Sequence, residues 1–266
     1  MRKELIAYKN PKSPVAETFR TLRTNIQFMN TKKNLKSLLV TSTMSGEGKS
    51  WISANLAVTF AQAGKKVILI DADMRKGTQH KMFTTESRPG LSNYLLDASE
   101  NEKIDIIQYV RRTRIDNLYL ITCGNVPPNP SELLASESMV SMVERLKSVF
   151  DILIFDGTPG LIVTDAMIVS RLVDTTIIVV SHNDTKKDSL QKVKKNLENV
   201  GASVAGVVIN KMPVSAKKYE DSYYYGSTSE RNNSDNDIFE KKGRQADREQ
   251  KTLEQLEELF NNRREW

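Results

Sequence analysis

The sequence predicts an α/β fold, with a parallel β-sheet flanked by helices on both faces. Apolar runs that do not alternate with polar residues recur between helical segments from residue 38 to residue 211. Such runs are typical of strands buried on both faces, as in parallel sheets. In addition, a loop of small residues follows the first apolar run and leads through Gly48-Lys49-Ser50 into a helical pattern. This order of strand, loop and helix predicts a P-loop NTPase fold.

The phosphate-binding loop is expected at residues 41–50, before a helix at 51–63. Glycines let backbone N–H groups turn toward phosphate oxygens, and the helix N-terminus adds partial positive charge. Lys49 is expected to reach the terminal phosphates and the Ser50 hydroxyl to bind Mg²⁺. The residues expected at the nucleotide are Ser45, Gly46, Glu47, Gly48, Lys49, Ser50 and Trp51.

One position departs from the strict loop pattern. The pattern has glycine four residues before Gly48, where this chain has Thr43. An ordinary glycine-rich turn carrying a surface lysine is therefore the alternative interpretation of the loop.

The other elements follow from apolar periodicity and from helix start and stop signals. A turn is expected at 157–160. The expected strands are 38–40, 66–71, 118–122, 151–156, 175–181 and 204–211, and the expected helices are 14–29, 51–63 and 184–200, with others starting near 90, 131 and 164.

Three aspartates follow strands of this expected sheet. Asp71 and Asp73 come after the second strand, and Asp156 ends the fourth. Ligands of parallel sheets bind beyond the carboxyl ends of the strands, so these acids are expected near Lys49 and Ser50. Carboxylates there suit Mg²⁺ coordination and proton abstraction, whereas the alternative is that they cap helices.

The few histidines and cysteines of the chain exclude some classes of catalytic and metal site. The chain has two histidines, His80 and His182, and one cysteine, Cys123. Neither a Ser/His/Asp set nor a Cys/His metal cluster can be assembled from these. Nucleotide hydrolysis or phosphoryl transfer is the expected chemistry.

Charge and hydropathy indicate a cytosolic protein. The net charge of +6 lies mainly in residues 1–37, which hold nine Lys/Arg and two acids. This basic arm either faces acidic lipid or an acidic partner, or is a solvated surface. One cysteine suits a reducing compartment, and neither a membrane span nor a signal peptide is evident.

The N-terminal helix at 14–29 carries an apolar stripe with Glu17, Arg20 and Arg23 beside it. These three side chains form either a surface ion pair or a subunit contact.

The C-terminal part changes in composition from residue 213. Tyrosines cluster there, residues 227–237 are rich in Ser, Asn and Asp and are expected to be disordered, and 239–266 is expected to be a solvated helix or a partner contact. The expected domain organisation is an arm and oligomerisation helix at 1–37, a nucleotide-binding domain at 38–212 and a flexible tail at 213–266.

These segments together resemble the bacterial tyrosine kinases (BY-kinases) of capsule and exopolysaccharide export, in their separate cytoplasmic form. The resemblance covers roughly residues 8–226. It is carried by Glu17-x-x-Arg20-x-x-Arg23, by Ser45-Gly46-Glu47-Gly48-Lys49-Ser50, by Ile70-Asp71-Ala72-Asp73-Met74-Arg75, by Val126-Pro127-Pro128-Asn129-Pro130-Ser131-Glu132-Leu133, by Asp156 with Val163-Thr164-Asp165-Ala166, by Ile209-Asn210-Lys211 and by the tyrosine cluster.

The resemblance implies a role for each site residue. Lys49 and Ser50 belong to Walker A, Asp71 and Asp73 to a second acidic motif, and Asp156 to Walker B, in a deviant Walker-like site for ATP and Mg²⁺. By similarity, Lys49, Asp71 and Asp73 are catalytic, with Asp71 as base toward the acceptor phenol. Ser50, Asp73 and Asp156 hold the metal. Asn210 lies against the adenine.

The resemblance also implies an assembly. Glu17, Arg20 and Arg23 match the oligomerisation motif of a ring, possibly an octamer, in which one subunit's tail enters its neighbour's site. The partner is a membrane adaptor or chain-length regulator of polysaccharide export, which recruits the kinase to the inner face of the plasma membrane, and no nucleic acid is involved. The acceptor residues are Tyr219, Tyr223, Tyr224 and Tyr225, and other protein tyrosines are possible substrates.

Three departures keep other functions open. The segment Gly157-Thr158-Pro159 differs from the family's usual sequence, Trp51 replaces a small residue, and 41 residues follow Tyr225. One alternative is a positioning ATPase of the deviant Walker class, although Met44 stands where that class has a signature lysine. Another is a non-catalytic, nucleotide-dependent scaffold or regulator.

Overall fold

A seven-stranded β-sheet forms the centre of the protein. The structure is a computed structural model that describes residues 4–29, 35–101 and 104–213. The strands are β1 (Ser37–Ser42), β2 (Val67–Asp71), β3 (Arg111–Arg112), β4 (Leu118–Ile121), β5 (Ile152–Pro159), β6 (Thr175–Ser181) and β7 (Val204–Asn210).

Across the sheet the strands lie in the order β3-β4-β2-β5-β1-β6-β7. Every neighbouring pair is parallel except β3 with β4. Six strands therefore end at the same edge of the sheet. The predicted parallel sheet is confirmed, and the short antiparallel β3 at one border is an addition to it.

Helices cover both faces of the sheet. They are α1 (Ile6–Lys9), α2 (Pro14–Met29), α3 (Lys49–Gln62), α4 (Gln79–Met82), α5 (Leu91–Glu100), α6 (Pro130–Leu134), α7 (Glu137–Val149), α8 (Asp165–Ser170) and α9 (Lys187–Asn199), with a 3₁₀ turn at Ile106–Tyr109. Helices α1 to α3 pack on one face, and α5, α7, α8 and α9 pack on the other. In the described ranges no helix is both long and apolar enough to cross a membrane.

Burial on both faces explains the uninterrupted apolar runs. In β1, Leu38 and Val40 pack in the cluster that contains Phe60 of α3. Leu39, between them, packs in the cluster of the opposite face. Each such fully buried side chain stabilises the fold by about 1.5–3 kcal/mol relative to an exposed one.

The predicted turn at 157–160 is wrong, because β5 continues as a strand to Pro159. Gly157 accounts for this extension. A Cβ atom at this position would lie 2.6 Å from Cδ1 of Leu39. Glycine therefore lets the strand continue close against the core side chain, and the unusual segment after Asp156 is a packing feature.

Candidate active site

The loop between β1 and α3 takes a conformation that depends on two glycines. Gly46 and Gly48 have φ angles of +89° and +96°, a region that side chains disfavour. Space also requires Gly48, because a Cβ there would lie 2.1 Å from Nδ2 of Asn210. That amide donates a 2.8 Å hydrogen bond to the Glu47 carbonyl. The end of β7 thus lies directly against the loop.

Glu47 closes the first part of this loop. Its nearly buried carboxylate accepts hydrogen bonds from the backbone N–H of Thr43 at 2.7 Å and of Met44 at 2.9 Å. The Thr43 hydroxyl donates another at 2.7 Å, and the Thr185 hydroxyl donates one from the loop after β6. Threonine in place of the expected glycine therefore adds a bond that holds the loop.

Lys49 lies among acids at the edge of the sheet. Its Nζ is 2.9 Å from Oδ2 of Asp73, 3.7 Å from Oδ1 of Asp156 and 3.2 Å from Oγ of Ser50. Burial disfavours its charge, but the attraction of Asp156 and Asp73 prevails and raises the pKa of Lys49. The ammonium group is therefore a fixed positive charge where phosphates are expected.

Asp71 and Asp156 form a buried carboxylate pair. They are register partners on the adjacent strands β2 and β5, and both side chains have 0% exposure. Burial, followed by repulsion from Asp156, raises the pKa of Asp71 well above its ordinary value. Burial also raises the pKa of Asp156, with Lys49 and hydrogen-bond donors opposing the shift. A carboxylate with a raised pKa is a better proton acceptor.

Gln79, which the sequence patterns did not indicate, connects these acids. This first residue of α4 has 0% exposure. Its backbone N–H donates to Oδ2 of Asp71 at 2.9 Å, and its side-chain Nε2 lies 2.8 Å from Oδ2 of Asp156. Its position shortly after the second acidic motif could have indicated that Gln79 belongs to the site. Glutamine is not ionisable, however, so it was not considered among the candidate catalytic residues.

Residues from three of the resembling segments, to which the sequence assigns no role, hold the segment after Asp73. Arg75 binds the buried Asp165 through Nε and Nη2, at 2.8 and 3.1 Å. The Ser131 hydroxyl donates to the same carboxylate at 2.6 Å. Three motifs of the resemblance thus meet in one cluster beside the site.

The donor set fits Mg²⁺. Ser50, Asp73 and Asp156 provide one hydroxyl and two carboxylates, and Mg²⁺ is often held by one or two carboxylates together with substrate phosphates. Oδ1 of Asp71 and Oδ1 of Asp156 are buried acceptors without a hydrogen-bond donor in the described part of the chain. Within the same ranges, no group of three or more His, Cys, Asp and Glu side chains is arranged as a metal site by itself.

The side chain of Trp51 lies away from these acids. Its Nε1 donates to the Glu4 carbonyl at 2.8 Å, and its ring packs edge-on against Phe19 at 5.1 Å. Trp51 thus fastens the N-terminal segment to α3, which is a reason for a large residue at this position.

The predicted oligomerisation residues lie on α2. Arg20 pairs with Glu17, and Nη1 of Arg23 donates to the Thr59 carbonyl at 2.9 Å. The predicted phosphoacceptors, Tyr219, Tyr223, Tyr224 and Tyr225, lie outside the described residues, as do the expected disordered segment and final helix.

The chain is similar to several known proteins. Residues 38–225 match the CobQ/CobB/MinD/ParA nucleotide binding domain. The chain is 40% identical over 227 residues to the tyrosine-protein kinase YwqD of Bacillus subtilis, covering 85% of this chain and 93% of that protein. It is 37% identical over 212 residues to the tyrosine-protein kinase CpsD of Streptococcus pneumoniae, covering 79% and 90%.

A solved tyrosine kinase domain has the same fold. The kinase domain of the Escherichia coli tyrosine kinase ETK superposes with a TM-score of 0.72 at 32% identity, covering 79% of this chain and 82% of that one. The fold and the relatives agree, and the chain belongs to the bacterial tyrosine kinase family.

Proposed function

We propose that this protein is an ATP-dependent protein-tyrosine kinase that phosphorylates tail tyrosines of a neighbouring copy. The observation that carries the proposal is the position of Asp71 beside Lys49 and Asp156 at one edge of the sheet, in a chain whose relatives are tyrosine kinases. A buried carboxylate with a raised pKa is suited to take a proton from a hydroxyl group.

The positions of the residues support the following proposed roles. The backbone of Ser45–Ser50 surrounds the phosphates, and Lys49 neutralises charge on the terminal ones. Ser50, Asp73 and Asp156 hold Mg²⁺, which when bound offsets negative charge on the phosphates. The adenine lies near Asn210.

Asp71 orients the acceptor and takes its proton. A tyrosine phenol has a pKa near 10 and is protonated at neutral pH, so a nearby base assists its attack on the phosphate. The proposed acceptors are Tyr219 and Tyr223–Tyr225 of the neighbouring subunit.

The proposed assembly is a ring, possibly an octamer, that forms through Glu17, Arg20 and Arg23 of α2. A membrane adaptor that regulates polysaccharide chain length recruits the ring to the inner face of the plasma membrane. The kinase thereby regulates the synthesis and export of capsular polysaccharide or exopolysaccharide. The basic residues before position 37 support placement beside an acidic surface.

The test is phosphotyrosine mapping by mass spectrometry. Wild type, Lys49→Met and Asp71→Asn are each incubated with Mg-ATP and a candidate adaptor fragment. Phosphate on residues 219–225 of the wild type, lost in both variants, is expected. Hydrolysis of ATP without phosphotyrosine would instead favour a positioning ATPase, and nucleotide binding without turnover would favour a scaffold.

A further inference from the structure

Gln79 forms hydrogen bonds with both buried acids of the site. It begins α4, eight residues after Asp71, and its side chain is completely buried. A buried amide in a phosphoryl-transfer site is informative, because it brings hydrogen-bond donors without adding charge.

The backbone and the side chain of Gln79 hold different carboxylates. Its backbone N–H donates to Oδ2 of Asp71 at 2.9 Å. Its Nε2 lies 2.8 Å from Oδ2 of Asp156, 2.9 Å from the Ser50 carbonyl and 3.1 Å from Oγ of Ser53. The carbonyl and the carboxylate can only accept, so the amide must present its NH₂ group on this side.

These bonds distinguish the two oxygens of each carboxylate. Oδ2 of both Asp71 and Asp156 is held by Gln79, whereas Oδ1 of both lacks a hydrogen-bond donor among the described residues. Lys49 Nζ lies 3.7 Å from Oδ1 of Asp156. Oδ1 of Asp71, and Oδ1 of Asp156 beside the Lys49 ammonium group, are therefore the oxygens left for an acceptor proton and a metal.

We propose that Gln79 is a positioning residue for phosphoryl transfer, which fixes one oxygen of Asp71 and one of Asp156 so that Oδ1 of each is presented to the reaction. This role rests on the proposed function, in which Asp156 holds Mg²⁺ and Asp71 is the base. The side chain of Gln79 holds the metal-binding carboxylate of Asp156 and the Ser50 carbonyl in the first turn of α3. Its backbone N–H holds the proposed base, Asp71.

Two substitutions of Gln79 test its side-chain bonds while keeping its backbone bond to Asp71. Gln79→Met keeps the length of the side chain and the backbone N–H but removes the amide donors from Asp156 and Ser50. Gln79→Asn keeps an amide on a shorter side chain and provides a conservative comparison. Gln62→Met is the matched control, because Nε2 of Gln62 donates to the Ala7 carbonyl at 2.9 Å, away from the acids.

Two measurements are made on the full chain. The first is the affinity for a fluorescent ADP analogue, measured in EDTA and then across a Mg²⁺ titration. The second is kcat for phosphorylation of the tail. For Gln79→Met we expect the affinity for the ADP analogue in EDTA to stay within about 2-fold of wild type. The half-saturating Mg²⁺ concentration should rise by about 10-fold or more, and kcat should fall by about 10-fold or more, because a metal ligand has lost its hydrogen-bond partner. Gln79→Asn should lie between, and Gln62→Met should match wild type.

A contact measurement complements the binding data. The side-chain amide resonance of Gln79 in ¹⁵N-glutamine-labelled, nucleotide-free protein should shift in Asp156→Asn. It should stay unchanged in Asp105→Asn, because Asp105 is an exposed acid that pairs with Arg145 and makes no contact with Gln79. An unchanged Gln79 resonance in Asp156→Asn would overturn the contact on which the proposal depends.

Two other results would overturn the proposal. One is a folded Gln79→Met protein with the Mg²⁺ dependence and kcat of wild type. The other is an equal loss of nucleotide affinity with and without Mg²⁺, which indicates general damage to the loop. If the wild type forms no phosphotyrosine, the proposed function fails separately, because the Mg²⁺ titration of the ADP analogue still decides the role of Gln79.

Discussion

Arg75 and Asp165 form a two-point ion pair between segments that lie 90 positions apart in the sequence. The carboxylate of Asp165 is buried, whereas the guanidinium group of Arg75 is partly exposed. Burial opposes ionisation of Asp165, but Arg75 and the Ser131 hydroxyl prevail and lower its pKa. The pair connects the segment after Asp73 with the start of α8, so it stabilises the chain that follows the proposed metal ligand Asp73.

Replacing Arg75 by Ala should destabilise the protein by about 1–3 kcal/mol, because Asp165 remains buried without its cation. The matched control is Arg145→Ala, whose 3.5 Å pair with Asp105 is exposed on both sides and should contribute at most about 0.5 kcal/mol. Urea unfolding at neutral pH measures both. Equal losses for the two variants would contradict the role given to the buried pair.

The pH dependence of stability should identify a second interaction, at the partly buried Asp174. Its Oδ2 accepts hydrogen bonds from the backbone N–H groups of Lys36 and Ser37, both at 2.8 Å. Burial opposes its ionisation, but the Lys36 bond, Lys147 and the Ser37 bonds prevail and lower the pKa of Asp174. Stability from Asp174 is therefore present above its unfolded-state pKa, about 3.9, and is lost as pH falls through the lower folded-state pKa.

Asp174→Ala should accordingly cost about 1–3 kcal/mol at pH 7, and the difference from wild type should shrink as pH falls below about 4. Denaturant unfolding at several pH values measures this convergence. Asp116→Ala, at an exposed turn position outside the helices, serves as the control and should follow the wild type throughout. A difference that stays constant with pH would contradict the electrostatic origin.

Glu47→Gln should weaken nucleotide binding by opening the loop. Glutamine has one oxygen, whereas the carboxylate uses both to accept bonds from Thr43 and Met44. Loss of one or two charge-assisted hydrogen bonds, at about 1.5 kcal/mol each, predicts roughly a 10-fold or greater rise in Kd for ADP. Isothermal titration measures it. Glu198→Gln on α9 is the control, and an unchanged Kd for Glu47→Gln would show that the loop forms without this carboxylate.

Local patterns in the sequence were sufficient for the main elements of the fold. The buried runs of β1, β2, β5 and β6 and the loop before α3 were all recognisable, because each depends on residues close together in the chain. Lys49, Asp71 and Asp156 could be placed at one edge for the same reason, since parallel strands bring their ends together.

Contacts between distant segments were not predictable in this way. Nε2 of Gln79 meets Asp156 across 77 positions, and Arg75 meets Asp165 across 90. No local periodicity specifies such pairs. The extension of β5 was missed for a related reason: Gly157 usually indicates a turn, but here the side chain that requires glycine is Leu39 on the neighbouring strand.

Gly157 and Leu39 should therefore be energetically coupled. Gly157→Ala places a methyl group 2.6 Å from Cδ1 of the fully buried Leu39, and overpacking of this kind costs about 1–3 kcal/mol. Leu39→Ala alone should cost about 2–5 kcal/mol through the cavity it leaves. In the double variant the new methyl group occupies part of that cavity, so its total cost should be at least about 1 kcal/mol below the sum of the single costs. Urea unfolding of the four proteins measures this double-mutant cycle. Gly206→Ala, in β7, controls for the loss of glycine alone, because its backbone is outside the left-handed region and the added Cβ would meet only Cε of Met29, at 3.7 Å. If the costs of the two substitutions are additive, contact with the Leu39 side chain is not the reason that position 157 requires glycine.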